Sequence, residues 1–151
     1  MSDTIYFYSI HGDHEYMSNF AHYAITIDGI EYKTTEHYFQ SKKFEGTSYE
    51  TKVRKASGAM EAARLGRDRS FPLRKDWEQV KDDVMRVAVE AKFRQHRGLA
   101  KKLLETGTAT LVEHTDKDSY WADGGNGKGK NMLGKILMEV RSKLRSENEK
   151  S

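Results

Sequence analysis

The sequence predicts an α+β domain with a small, mainly antiparallel sheet and several packed helices. Short aromatic and β-branched alternations crowd the first third of the chain, and apolar positions at helical spacing fill most of the rest. The two kinds of run never settle into the strand, helix, strand rhythm of a parallel sheet. With 151 residues and no low-complexity stretch, the chain is the size of a single domain, 1–151. Its core is expected between about residues 5 and 145, before a polar, frayed C-terminal tail.

Each element has a local cause. Ile5-Tyr6-Phe7-Tyr8 reads as a short strand, and a polar loop from His11 to Glu15 follows, turned by Gly12. Tyr23 to Ile27 and Ile30 to Lys33 alternate as strands, and Asp28-Gly29 between them is the signal for a two-residue type I′ hairpin. The hairpin delivers the chain into a helix over Thr34 to Phe44, with Thr34 or Thr35 as N-cap. Short helices are expected over Ser48 to Lys55 and Ala59 to Leu65, and Pro72 sits in the loop beyond them. A longer helix starts after Asp76 as N-cap, with Val80, Val84, Val87, Ala88 and Ala91 as its buried stripe. Leu99 to Leu104 is helical, Gly107 breaks the pattern, and Thr110 to Glu113 forms one more strand. The last helix is capped by Asn131 and buries Met132, Leu133, Ile136, Leu137, Val140 and Leu144.

Composition removes several classes of function. Lys and Arg number 26 against 23 Asp and Glu, a net charge of +3, too small for general adhesion to nucleic acid or membrane, so any anion site is local. Without cysteine there is no disulfide framework, thiolate metal site or thiol nucleophile. The six histidines never pair with an acid at the i, i+4 spacing of zinc motifs, so no metal and no cofactor is expected. The N-terminus lacks a basic stretch followed by an apolar run, and no apolar segment approaches the length of about 18 residues that spans a bilayer. A soluble, cytoplasmic protein without a membrane partner is expected. No apolar stripe is left over, which points to a monomer.

The pair with most chemical content is Glu36 and Lys43. Seven residues make two helical turns, so at about 100° per residue the carboxyl and the amine share a face, with Gln40 between them. A carboxyl shuttles protons and an amine attacks a carbonyl carbon, a combination suited to an imine or an oxocarbenium-like centre. The alternative for such a pair is an ion pair on a solvated helix face. Arg64-Leu65-Gly66-Arg67-Asp68-Arg69-Ser70, with Arg74-Lys75 beyond, offers guanidinium forks for phosphate; its alternative is a basic loop held by Asp68. In Glu113 to Gly124, Asp118 or Asp123 could orient a sugar hydroxyl or act as a second carboxyl, while Trp121 could simply anchor the loop. Gly124-Gly125-Asn126-Gly127-Lys128-Gly129-Lys130-Asn131 has P-loop spacing, but Asn131 stands where Ser or Thr must hold magnesium and no buried strand enters the loop. What survives is a glycine-rich loop whose N–H groups, at a helix start, offer an anion site, with plain flexibility as the alternative.

Together, Ser18-Asn19-Phe20, Thr35-Glu36-His37-Tyr38-Phe39-Gln40 with Lys43-Phe44, Gly66-Arg67, Trp77, Glu90-Ala91-Lys92-Phe93, Asp118 with Trp121, and Gly129-Lys130-Asn131-Met132-Leu133-Gly134 resemble the NADAR, or YbiA-like, family in its bacterial YbiA branch. The likeness runs from near Ile5 to Leu144. It implies an N-glycosidase that cuts between the ribose anomeric carbon and the amine nitrogen of a base. The implied substrates are phosphorylated ribosylamino-pyrimidine intermediates of riboflavin synthesis, or ADP-ribose on guanine in DNA or RNA. Both carry ribose on an aminopyrimidine or purine nitrogen, with phosphate on the 5′ side.

The same resemblance implies the roles. Glu36 becomes the general acid/base, Lys43 the amine that attacks the anomeric carbon or merely grips the substrate, and Asp118 a second acid that fixes the ribose or ring amine. A neutral Lys43 requires desolvation or a neighbouring cation such as Lys42 or an arginine. Trp77 stacks on the base; Arg67, Arg69 and the loop near Lys128 take the phosphates; Asn19, Phe20, Gln40, Trp121 and Asn131 complete the substrate contacts. Ala122 departs from the family's usual glycine after the tryptophan, which would cost roughly 1 kcal/mol if that residue needs positive φ. Readings from other classes are a non-catalytic module binding ADP-ribose or a NAD-like ligand, and an interaction domain without a small ligand.

Overall fold

The computed structural model describes residues 3–8 and 12–150; His11, in the predicted polar loop, lies outside the described residues. Among the described residues, six α-helices and four short strands make a mixed α and β fold. The strands are β1 (Thr4–Phe7), β2 (Ile25–Ile27), β3 (Ile30–Tyr32) and β4 (Thr110–Glu113). The helices are α1 (Thr35–Lys42), α2 (Ser48–Arg54), α3 (Ala59–Gly66), α4 (Trp77–Gln95), α5 (Arg97–Glu105) and α6 (Met132–Lys150). Among the described residues, no helix is long and apolar enough to cross a membrane.

The strands form two separate two-stranded sheets, one antiparallel as expected and one parallel. β2 and β3 pair antiparallel through the predicted hairpin, in which Asp28 and Gly29 both take positive φ, 53° and 79°. β1 and β4, however, pair in parallel from Thr4↔Thr110 to Phe7↔Glu113. So much chain separates these two strands that their direction is set by packing and leaves no local signal.

The chain divides into two compact units, Asn19–Lys92 and Met1–Ser18 with Phe93–Ser151. In the first, Phe44, Tyr49, Val53, Ala56, Ala62 and Leu65 form one core cluster, and Ile25, Tyr32, Tyr38 and Ala88 form another. The buried positions of α4 are Trp77, Met85, Ala88 and Val89 with Lys92 and Phe93, whereas Val87, expected inside, is 46% exposed. Val84 and Ala91 of the expected stripe pack beside Ala88, and the buried face extends further to Trp77, Met85 and Val89. In the second unit, Leu111, Leu133, Ile136, Leu137 and Val140 are buried, as the periodicity predicts. The expected frayed tail is instead helical, since α6 continues to Lys150.

Asn131 stands at the start of α6, where its carbonyl accepts from the Lys135 N–H. Its side chain does not cap the helix as expected. It bridges to β4, with Nδ2 donating to the Leu111 carbonyl at 2.9 Å and Oδ1 accepting from the Glu113 N–H at 3.0 Å.

Candidate active site

α1 is built to carry polar groups inward. Thr34 caps it, its hydroxyl oxygen accepting from the His37 N–H at 3.1 Å. The His37 ring faces the Ala56 carbonyl through Nε2 at 3.1 Å, so that nitrogen carries the hydrogen and Nδ1 accepts from the Thr34 hydroxyl at 2.8 Å. Burial lowers the His37 pKa from 6.5 and keeps the ring neutral. Asn19 anchors the same turn: its carbonyl accepts from the Glu36 N–H at 3.2 Å, its Oδ1 accepts from the Thr35 hydroxyl at 2.8 Å, and its Nδ2 reaches the Met85 sulfur at 3.3 Å. Thus both ends of the Asn19 amide are held by protein. Phe20 beside it is half-buried.

This scaffold buries Glu36 and Lys43 together. They are 7% and 8% exposed, which removes the solvated ion-pair alternative. Glu36 Oε2 accepts from Gln40 Nε2 at 2.7 Å. Lys43 Nζ donates to the Gly66 carbonyl at 3.4 Å and lies 5.7 Å from the centre of the Phe39 ring. Arg69 donates to the same carbonyl at 2.9 Å, so one peptide oxygen gathers two cations. Burial first, then Arg69, Arg67 and Lys81, lower the Lys43 pKa from 10.5 to about 8, against the opposing pull of Glu36.

The neighbouring cations are therefore the arginines and Lys81. Lys42, named beforehand as a candidate, bonds Glu50 at 2.9 Å instead. Lys81 escaped the sequence reading, although it lies four residues after Trp77 on α4 and hence on its face. Trp77 is 5% exposed and meets Phe39 edge-on, ring centres 5.1 Å apart.

The arginine-rich segment sorts itself by partner. Arg64 pairs with Glu61, and Arg74 is held by Asp76 and Glu45. Asp68 closes a turn by accepting from the Ser70 N–H at 2.9 Å. Arg67 and Arg69 remain exposed beside Lys43.

In the other unit, Asp118 Oδ1 accepts from the Tyr120 and Trp121 N–H groups, each at 2.8 Å. Trp121 is half-buried, its ring edge-on to Tyr120 at 4.9 Å. The glycine-rich loop does not offer its helix start to an anion, because the Met132 and Leu133 N–H groups already donate to the Tyr120 and Trp121 carbonyls, both at 3.0 Å. The Lys128 N–H bonds Asn126 Oδ1 at 2.9 Å, and its side chain is exposed. Ala122 is not among the residues of positive φ, so its departure from glycine is unstrained. Asp123, 4% exposed, accepts from His114 Nδ1 at 2.7 Å and from the Thr115 and Gly125 N–H groups. A groove of about 770 Å³ beside this pair is lined by Tyr6, His114, Lys130 and Lys135 among others. Among the described residues, no group of three or more His, Asp or Glu side chains could hold a metal ion.

The NADAR domain family model matches residues 6–145. N-glycosidase YbiA of Escherichia coli (strain K12) is 55% identical over 97% of this chain and 92% of its own length. N-glycosidase Npun_R5314 of Nostoc punctiforme is 41% identical over 95% of this chain and 94% of its own. Riboflavin biosynthesis protein VVA0006 of Vibrio vulnificus is 42% identical over 95% of this chain, which covers 39% of that longer protein. The NMR structure of E. coli YbiA superposes with a TM-score of 0.92 at 53% identity, covering 100% of this chain and 90% of that one.

Proposed function

The chain belongs to the NADAR domain family, and from that premise we propose that it is an N-glycosidase acting on a phosphorylated riboside of an aminopyrimidine or purine. The observation that carries the reading is the burial of a carboxylate and an amine on one helix, the amine brought down to about 8.

In the covalent route, the Lys43 lone pair forms a bond to ribose C1 as the C1–N bond breaks, and its electrons go to the base nitrogen, which takes a proton. Nζ then loses a proton, its lone pair expels O4′ from C1 as O4′ takes a proton, and a protonated imine forms between C1 and Nζ. Water adds to the imine carbon, Nζ leaves, and Glu36 exchanges the protons at both stages. In the direct route, Glu36 deprotonates water against an oxocarbenium-like sugar while Lys43 holds a hydroxyl or phosphate. Borohydride during turnover separates them: a reduced ribosyl adduct on Lys43 is expected, and an unmodified Lys43 leaves the direct route. Arg67 and Arg69 receive the phosphates, and Trp77 borders the base.

Both a ribosylamino-pyrimidine phosphate and ADP-ribosylated guanosine should be offered, with free base followed by mass spectrometry. Release of base from either one, abolished by Glu36→Gln with ligand binding retained, is the expected result. If Glu36→Gln binds as the natural protein does and the natural protein releases no base from either compound, the chain is a binding module for ADP-ribose or a similar ligand.

A further inference from the structure

We propose that Gln40 is a positioning residue that keeps Glu36 ionised and fixed in orientation, and that Gly66 sets Gln40 in place. This rests on the reading that Glu36 exchanges protons with substrate.

Gln40 is 5% exposed, so bulk water cannot complete its bonding. Its Nε2 donates to Glu36 Oε2 at 2.7 Å, a bond that an ionised carboxylate accepts. The opposite end is left unsatisfied. Gln40 Oε1 is buried without a hydrogen-bond partner. It rests on Gly66 so closely that a Cβ there would stand 1.9 Å from it. An apolar side chain of the same length would fill the space without stranding an oxygen, so the bond to Glu36 is what the carboxamide provides. A donor aimed at a carboxylate favours the charged form and fixes the carboxyl plane.

The charged groups around α1 have partners or positions of their own. Lys43 feels Arg69, Glu36, Arg67 and Lys81. Glu50 of α2 is paired with Lys42, Glu61 of α3 with Arg64, Lys33 donates to the Ala56 carbonyl, and His37 is neutral.

Gln40→Met removes the donor, and Gly66→Ala pushes the carboxamide away while leaving Glu36 untouched. The decisive readout is the ¹³C titration of the labelled Glu36 carboxyl, which needs no substrate and is therefore separable from the reading of function. The midpoint should rise by about one pH unit in each folded variant. With a turned-over substrate, the acid limb of kcat/KM should move by the same amount, with kcat rather than KM carrying the loss. A Glu36 midpoint unchanged in Gln40→Met overturns the proposal, whatever happens to rate or stability. Should Gly66→Ala fail to fold, Gln40→Met alone decides.

Discussion

A lysine attacks carbon only through its neutral amine, and an ordinary lysine near 10.5 is neutral about once in three thousand molecules at pH 7. Lys43, brought to about 8, is neutral in about one molecule in ten. The rate of a covalent route should accordingly climb from pH 7 to 9 and level off above the Lys43 midpoint. A pH series of kcat under saturating substrate checks this; a profile flat across that window means the amine is not the attacking group. Sequence spacing placed Glu36 and Lys43 on one face, but it carried no sign of the Gly66 carbonyl that holds the amine, since a peptide oxygen has no residue type to recognise. Nor did it show which arginines were already paired: Arg64 and Arg74 look like Arg67 and Arg69 until their acidic partners are placed.

At the scale of the element, α1 is unusual because every residue from Thr35 to Ser41 is buried, most of them polar. No amphipathic pattern marks such a helix, yet the Thr34 cap and the hairpin before it were readable because caps and type I′ turns are local chemistry. The stripe on α4 was readable in part: Ala88 is buried with Val84 and Ala91 packed beside it, while Val87 faces outward, since the edge of a stripe is set by what packs there. His37 gives α1 an acid sensitivity of definite sign. Its folded pKa lies below 6.5, so the unfolded chain takes the proton first, and stability should fall as pH drops through about 6.5 and below. Urea melts between pH 5 and 7.5 should show the loss, and His37→Gln, which keeps a donor for Ala56, should flatten it.

For the molecule as a whole, a buried ammonium opposes folding. The unfolded chain keeps the Lys43 proton up to 10.5 whereas the folded one releases it near 8, so stability rises with pH between those values and the full deficit is present below 8. At about 1.4 kcal/mol per pH unit, the deficit is roughly 3 kcal/mol. Lys43→Met should therefore abolish turnover and raise Tm by several degrees at pH 7, as calorimetry would show. A lowered Tm would mean that the amine is a structural member of the core. The α+β class and the helices followed from periodicity and punctuation; the parallel pairing of β1 with β4 did not, because most of the chain lies between the two strands.

The carbonyls of Tyr120, Trp121 and Ala122 accept from the N–H groups of Met132, Leu133 and Asn131, so the acidic loop and the first turn of α6 are laced into a single knot. An engineer who wished to retune this loop by insertion would unpick the helix behind it. Point changes of side chains, with the backbone count preserved, are the route by which this region can vary.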